Sequence, residues 1–438
     1  MVCGAWAGCF PARSHPPARS FAKAALTWHF LRFRIGCGGL PDAMGGVFMS
    51  AERAGYGAVR IEELEGWEGI RKRPGMWVGS TGERGLHELV FQVVGRVVND
   101  VLAGRGGDCI DVTLTRDGGV RVADNGPGCS FTAPRDAGGP GLEALLTSVC
   151  AEAEPCGRHI AYVSHSCFGG GLFVANVLSS RLTAEVRCEG SRRVQEYARG
   201  VAAAPPAALG PTAGSGTTIV FWPDTEIFGT TRCSFAVLAE RFRQVAFLNR
   251  GLGLSLTDER PAGGARAVSF RFPDGVRDFV AALDAETGAV LRPDVMGFER
   301  EDPRMAGTME VALLWSGSGQ ERIRSFVNSR ATREGGAHVD GFRDGVVAAV
   351  TAYVRERGLP AADTDGCADR MGEGLTAVVS VKLDRPEYLG ATHELLGNTD
   401  VRDCVGEAVR EHLGNWFEEQ PSQAAQVVDR ILRNTRQD

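Results

Sequence analysis

The sequence predicts a mixed α/β protein, of the α+β kind, with more than one domain. Along 89–102 the apolar residues recur in pairs every four positions, which is the spacing of an amphipathic helix. Alternating apolar residues at Ile110, Val112 and Leu114, a turn at 117–119 and a short apolar run at 120–122 predict two strands joined by a hairpin. The chain has 438 residues, 43% of them hydrophobic, which is enough for two or three cores.

Charge and cysteine content limit the classes of function. A net charge of -6 argues against a chain whose main task is nonspecific contact with DNA phosphates, although a local basic patch is compatible with it. The 12 cysteines are scattered, without a Cys-x-x-Cys pair or a ligand-spaced Cys/His cluster. We therefore expect reduced thiols, a cytoplasmic protein and no metal site built from cysteine.

Residues 1–54 differ from the rest of the chain. They are rich in Arg, Pro and Gly, and their apolar runs are far shorter than a membrane-spanning helix. An Arg-rich start is also typical of targeting peptides, but a signal core and a cleavage pattern are not recognisable. We expect a disordered extension or a start codon upstream of the true one, and no membrane segment.

Two polar features stand out around the predicted helix and hairpin. Gln92, Arg96 and Asp100 are spaced i, i+4, i+8 and share one helical stripe, and Asp124 ends the second strand beside Gly126 and Gly128. A solvated helix face and a simple turn explain these residues without any function. A carboxylate beside glycines also suits contact with a buried ligand, so both interpretations stay open on this stretch alone.

Nine segments of the chain from residue 56 onward carry recognisable motifs, at 56–79, 80–90, 122–128, 174–182, 215–224, 247–252, 333–343, 372–383 and 396–405. In these motifs and in their order the chain resembles the B subunits of DNA gyrase and of topoisomerase IV. The resemblance implies a GHKL ATPase sandwich at 55–265. It also implies a transducer domain at 266–438, with the fold of ribosomal protein S5 domain 2.

The expected elements of the second part follow from pattern. Residues 309–314 and 376–383 predict strands, and 341–357 predicts a helix. In the first part, 201–214 is rich in Ala and Pro and predicts a loop.

The resemblance assigns most of an adenine pocket. It implies that Asp124 accepts a hydrogen bond from the adenine amino group, that Thr217 supports this contact, and that Gly126 and Gly128 let the backbone approach the base. Other contacts to the nucleotide are implied for the lid glycines and for the arm that reaches the neighbouring monomer, namely Gly169, Gly170, Gly171, Tyr56 and Ile61. ATP is therefore the expected ligand.

The phosphate end departs from the family. Gln92 stands where the family has its general base, and an amide has no useful basicity near neutral pH. Arg96 replaces the asparagine that binds magnesium, so no metal site is predicted, and its guanidinium is placed to face the triphosphate instead. His393 stands where a lysine contacts the terminal phosphate.

These departures define the expected function. We expect a gyrase-B-like ATP-binding and transducer protein linked to DNA topological change, with weak or absent ATP hydrolysis. The alternative is a catalytically dead pseudo-ATPase that acts as a regulator or decoy of gyrase. A kinase or chaperone of the GHKL class is disfavoured by the motifs at 333–343 and 372–398.

Partners are expected as well. No TOPRIM-like acidic motif is recognisable in the sequence, so no DNA cleavage is expected from this polypeptide alone. We expect a homodimer, or a heterodimer with a gyrase B subunit, that reaches gyrase A and DNA only indirectly.

Overall fold

The computed structural model describes residues 66–103, 107–128, 131, 141–148, 160–164, 171–287, 294–315, 320–358, 372–390 and 392–434. The predictions for the extension at 1–54 and for Tyr56, Ile61, Gly169 and Gly170 fall outside these ranges. Within the described chain, none of the helices combines the length and the apolar character that crossing a membrane requires.

The first part of the chain is built on one mixed sheet. Nine strands of the described residues belong to it, in the order β5-β4-β3-β7-β2-β1-β8-β9, with β6 paired to β4. Strands β1 and β8 are parallel, and the other pairs are antiparallel. The strands are β1 Cys109–Leu114, β2 Val120–Asp124, β3 Ser179–Cys188, β4 Ser191–Ala198, β5 Val201–Ala202, β6 Ala207–Pro211, β7 Gly216–Pro223, β8 Gly253–Asp258 and β9 Arg266–Phe270.

Helices cover one face of this sheet and enclose its core. Alternation along β1 points Ile110, Val112 and Leu114 to that face, as predicted, and all three are buried against helical residues. The long helix α3 confirms the helix predicted at 89–102 and begins six residues earlier. The helices are α1 Gly66–Lys72, α2 Pro74–Val78, α3 Glu83–Leu102, α4 Leu142–Thr147, α5 Gly171–Val177 and α6 Phe235–Leu248.

The prediction of a loop at 201–214 was wrong. This segment contains β5 and β6, which pair with β4 at the edge of the sheet. An edge strand needs only main-chain hydrogen bonds, and every residue of β6 is exposed, so no apolar alternation marks it in the sequence. Strand β9 belongs to the same sheet, so the domain boundary predicted at 265/266 runs between two paired strands.

The second part is a five-stranded sheet with helices on both faces. Its order is β10-β11-β15-β12-β13, and two short strands, β14 and β16, pair separately. The strands predicted at 309–314 and 376–383 are confirmed as β11 and β15, and the helix predicted at 341–357 is confirmed as α8, Ala337–Glu356. The strands are β10 Met296–Asp302, β11 Gly307–Trp315, β12 Arg322–Val327, β13 Arg330–Ala331, β14 Gly335–Gly336, β15 Leu375–Leu383 and β16 Leu395–Leu396.

Alternate residues of the central strands separate two cores. Residues Met309, Val311 and Leu313 face α8 and the helices that follow it, whereas Ala312 and Leu314 face α7. The second of these cores also includes Phe247 and Leu248 of α6, so it joins the two parts of the chain. The helices are α7 Val276–Ala285, α8 Ala337–Glu356, α9 Thr399–Glu419 and α10 Pro421–Asn434.

Glycines allow α8 and α9 to approach each other closely. A Cβ on Gly341 would lie 2.2 Å from the main-chain oxygen of Arg402, so we expect Gly341→Ala to destabilise the protein by about 1 to 3 kcal/mol. The matched control is Gly414→Ala in α9, where an added Cβ meets nothing within 4 Å. That variant should gain about 0.5 to 1 kcal/mol from helix propensity. Urea unfolding measures both, and equal changes at the two sites would contradict the packing argument.

Candidate functional site

Asp124 ends β2 at the centre of the first sheet, with its carboxylate held by two main-chain amides. The N–H of Gly126 donates to Oδ1 at 2.8 Å, and the N–H of Thr217 donates to Oδ2 at 3.2 Å. Burial raises the pKa of Asp124 above its ordinary value, and the nearby charge of Asp100 acts in the same direction. A carboxylate has about four lone-pair sites, so capacity remains to accept a donor from a ligand.

Two glycines are required around this carboxylate. Gly128 has φ +77°, and an added Cβ would lie 2.5 Å from the main-chain oxygen of Arg187 in β3. Gly216 has φ +136°, and its Cβ would lie 2.2 Å from the oxygen of Asp124. Both positions combine a left-handed backbone with a close approach that only glycine permits. The turn predicted from the sequence is therefore fixed by its contacts with β3 and β7.

Gln92 lies on α3 in the interior of the first part of the chain, close to Trp77 of α2. Its side chain is 5% exposed, and Nε2 donates to the main-chain oxygen of Trp77 at 3.1 Å. Its Oε1 is buried and accepts no hydrogen bond from the described residues. A solvated helix face is therefore the wrong interpretation at this position, and the amide offers an unused acceptor.

Arg96 is paired with Asp100 one turn further along α3. Its Nε and Nη2 donate to the two carboxylate oxygens at 2.9 and 3.2 Å, and both side chains are partly exposed. Such a two-point contact fixes the guanidinium in orientation. The sequence suggested that Arg96 faces the triphosphate; in the structure its fork is turned to the carboxylate that lies near Asp124.

The segment 160–164 lies against α3, α6 and the second sheet. Asn99 of α3 accepts the N–H of Ala161 at 2.8 Å, and Glu88 accepts the hydroxyl of Ser164. From the other side, the N–H of Tyr162 donates to the oxygen of Asn328 at 2.7 Å. Segment 160–164 is thus anchored to both parts of the molecule.

Arg241 of α6 supplies most of the side-chain hydrogen bonds at this anchor. It is 7% exposed and donates to the oxygens of Val163 at 3.1 Å, Tyr162 at 2.7 Å and Ser329 at 3.3 Å. Burial lowers the pKa of Arg241 to about 10, while the charge of Glu88 opposes that change. Carbonyl oxygens therefore carry most of the solvation of a buried cation.

His393 lies in the second part of the chain, in the loop before β16. Its ring stacks on Tyr388 with centroids 4.7 Å apart, and its Nδ1 lies 3.0 Å from Nη1 of Arg330. Arg330 in turn lies over the ring of Tyr162, with its Cζ 5.0 Å from the centroid. The position predicted for the phosphate-contacting lysine is thus linked to the anchored segment through an arginine.

The structure brings only some of the predicted residues into contact. Asp124, Gly126 and Thr217 meet directly, with Gly128 in the same turn, while Gln92 and Arg96 share α3. Gly171 is the first residue of α5. Reasoning from sequence missed Arg241 and Arg330, although Arg241 falls on the apolar stripe of α6 with Leu238, Phe242 and Val245, which was a usable signal.

A central mixed sheet with one helical layer, a carboxylate–glycine turn at its middle and a second α/β domain are the features of a GHKL fold joined to a transducer domain. Comparison with known proteins gives the family. The chain is 30% identical to the 43K ATPase domain of Thermus thermophilus gyrase B, solved with an aminocoumarin, with a TM-score of 0.73 over 85% of this chain and 95% of that one. This chain belongs to the DNA gyrase B family.

Sequence comparisons agree. A family model described as DNA gyrase B matches residues 275–438. The DNA gyrase B subunit of Streptomyces coelicolor is 42% identical over 391 residues, which is 86% of this chain and 57% of the relative. The novobiocin-sensitive DNA gyrase B subunit of Streptomyces niveus is 39% identical over 86% of this chain and 58% of its own length. The chain thus spans somewhat more than half the length of these relatives.

Proposed function

We propose that this chain is a gyrase-B-like nucleotide-binding and transducer protein that binds ATP through Asp124 and hydrolyses it weakly or not at all. Gln92 is the observation that carries the second half of this proposal. A buried amide occupies the position of the family's general base, and it is held by the carbonyl of Trp77. An amide oxygen orients a water molecule by accepting its hydrogen bond but does not take its proton.

The residues around Asp124 support binding of the adenine base of a nucleotide. The two amides on Asp124 hold its oxygens in one orientation, so the remaining lone pairs are directed before a ligand arrives. An exocyclic amino group is a donor that matches such an acceptor. Gly128 and Gly216 keep side chains away from this edge. We therefore assign Asp124, with the main chain around it, to recognition of the adenine base.

The metal position does not fit magnesium. The guanidinium of Arg96 carries only donors and a positive charge, and it is bound to Asp100. Over the described residues, no three His, Cys, Asp or Glu side chains are grouped so that they could hold a metal ion. We propose that nucleotide binding in this protein needs no magnesium. The phosphates are contacted instead by main-chain N–H groups and by an arginine side chain.

The same residues favour a second candidate, a pseudo-ATPase that regulates gyrase or acts as its decoy. The contact between Arg96 and Asp100 gives the helix a stable arrangement without a metal ion, as a binding module requires. In either case we propose a homodimer or a heterodimer with a gyrase B subunit, through which the chain influences DNA topology. Turnover measurements separate the two candidates, and sedimentation with and without ATP tests the dimer.

Asp124→Asn tests nucleotide recognition. An amide nitrogen in place of one carboxylate oxygen would face an N–H donor of the main chain, so we expect ATP affinity to fall roughly 10- to 100-fold. The control is Asp117→Asn in the exposed turn of the same hairpin, which should bind ATP like the wild type. Calorimetry with and without magnesium measures the ATP affinity and its dependence on the metal ion. A phosphate-release assay measures the rate of hydrolysis. Rapid hydrolysis that requires magnesium would contradict the proposed function.

A further inference from the structure

Asn125 follows Asp124 in the turn after β2, and its side chain binds the start of β1. Its Oδ1 accepts the main-chain N–H groups of Asp108 and Cys109, at 3.0 Å each. Its Nδ2 donates to Oδ1 of Asp108 at 3.1 Å. Because main-chain N–H groups only donate, the oxygen of the amide must face them, and the orientation of the Asn125 side chain is fixed.

The same turn lies directly against Gly107, two residues before β1. Gly107 has φ +80°, and an added Cβ would lie 2.8 Å both from Oδ1 of Asn125 and from the main-chain nitrogen of Gly126. A side chain at this position would therefore displace the turn. The N–H of Gly126 is one of the two donors that hold the carboxylate of Asp124. The packing of Asn125 thus bears on the orientation of that carboxylate.

Asp108 is held in turn by Arg271, the first residue after β9. Nη2 of Arg271 donates to Oδ2 of Asp108, while Oδ1 of the same carboxylate accepts Nδ2 of Asn125. The hydrogen bond from Asn125 and then that from Arg271 hold the pKa of Asp108 at about 2. The carboxylate is therefore charged at neutral pH, and it links the amide to the guanidinium.

Arg271 belongs to the segment that leads from the first sheet into the second part of the chain. The next residue, Phe272, stacks on Phe247 with ring centroids 3.6 Å apart, and Phe247 stacks on Phe279 of α7 at 4.6 Å. Phe247 also belongs to the core that joins the two parts of the chain. These stacked rings fix the backbone of the segment, so the side chain of Arg271 reaches Asp108 from a defined position.

These contacts contribute little to the stability of the fold. The side chains of Arg271 and Asp108 are 54% and 51% exposed, so water screens their attraction. Asn125 is exposed as well, and water replaces its oxygen as the acceptor for the two N–H groups if the side chain is removed. Changes at these positions therefore separate an effect on the turn from an effect on folding.

We propose that Asn125 is a positioning residue, which holds Asp124 in the orientation that recognises the adenine base. Asp108 and Arg271 hold Asn125 in place, and the three side chains together form what we call the turn clamp. The inference rests on the proposed function, because Asp124 reads adenine only if the chain binds a nucleotide. It deepens that function, since the segment leading to the second part of the chain contributes to the affinity for the base.

Asn125→Asp tests the centre of the turn clamp. The new carboxylate keeps an acceptor for the two N–H groups, but it faces Asp108 without a donor between them, so the like charges repel. We expect the affinity for adenosine to fall roughly 10-fold, and that for ATP at least as much. Adding Asp108→Asn returns a donor to this contact, and the double variant should regain most of the lost affinity. Calorimetry on the full chain measures both ligands separately.

Arg271→Gln tests the outer end of the turn clamp. We expect it to lower the affinity for adenosine about 2- to 5-fold, because the ion pair is exposed. The matched control is Arg116→Gln, which also removes one positive charge from the chain. Nε of Arg116 donates to the main-chain oxygen of Glu259, at the opposite end of β1 from Asp124. This control should bind adenosine like the wild type.

Each outcome decides the inference. Equal adenosine affinity in the wild type, Asn125→Asp and Arg271→Gln would overturn it and leave the proposed function standing. A loss for ATP alone would do the same, because a change in net charge acts on the phosphates and not on the base. A double variant that regains no affinity would also overturn it. A wild type that binds neither adenosine nor ATP would overturn the proposed function and the inference together.

Urea unfolding without ligand checks that the variants fold. We expect their unfolding midpoints to lie close to that of the wild type, because the substituted side chains are exposed. If Asn125→Asp fails to fold, the comparison of Arg271→Gln with Arg116→Gln serves as the test, since neither substitution changes the turn itself.

Discussion

Gln92→Glu combined with Arg96→Asn is expected to raise the rate of ATP hydrolysis at least about 100-fold, because a positioned general base contributes roughly 10²- to 10⁴-fold. The new carboxylate would be buried against the oxygen of Trp77, which favours its protonated form and raises its pKa towards the working pH. Asparagine at 96 replaces a guanidinium by a neutral carbonyl that magnesium accepts as a ligand. Phosphate release with and without magnesium measures the gain.

Both substitutions are needed for this result. In Gln92→Glu alone, the new carboxylate lies four residues before Arg96 on the same helix and would compete with Asp100 for its guanidinium. A carboxylate paired in this way is a weaker base, so the single variant should gain far less than the double one. A double variant that gains no activity would contradict the proposal that the residues at 92 and 96 limit hydrolysis in this protein.

Much of the fold could be predicted because its signals are local. The period of α3, the alternation of β1 and the apolar runs of β11 and β15 each reside in a few consecutive residues. Strand β6 could not be predicted, since its pairing depends on the free edge of β4 and its own residues are exposed. The pattern of apolar residues thus predicts which residues face a core. It gives no signal for a strand that faces no core.

The candidate site, like the fold, could be predicted from the sequence only where its signals are local. The carboxylate–glycine turn at Asp124 was visible because glycines and a strand end occur together in a short stretch. Arg96 and Asp100 were visible as neighbours on one stripe, but the direction of the guanidinium depends on what surrounds the helix. Arg330 lies more than 60 residues from His393, so their contact arises only from the folding of the second domain.

Arg241→Met is expected to reduce the free energy of unfolding by about 2 to 4 kcal/mol. A buried ion pair can often be replaced by apolar residues without loss, but here the partners are main-chain carbonyls that no substitution removes. Methionine fills a similar volume and leaves the oxygens of Tyr162, Val163 and Ser329 without this donor. Each buried acceptor without a partner costs about 1 to 3 kcal/mol. This cost is partly offset because the variant no longer buries a cation. Urea unfolding measures the total.

Arg243→Met is the matched control, because Arg243 lies on the same helix with its charge partly in solvent. Its ion pairs to Glu240 and Glu286 are long, at 3.9 Å each, so a loss under about 1 kcal/mol is expected. Hydrogen exchange then locates the effect of Arg241→Met. The amide of Tyr162, which donates to Asn328, should exchange faster than in the wild type, while amides in the centre of β11 should change only with global stability. Uniform changes in exchange would contradict a local role for Arg241, because they would mean that its hydrogen bonds stabilise the whole molecule and not the contact between segment 160–164 and the β12–β13 hairpin.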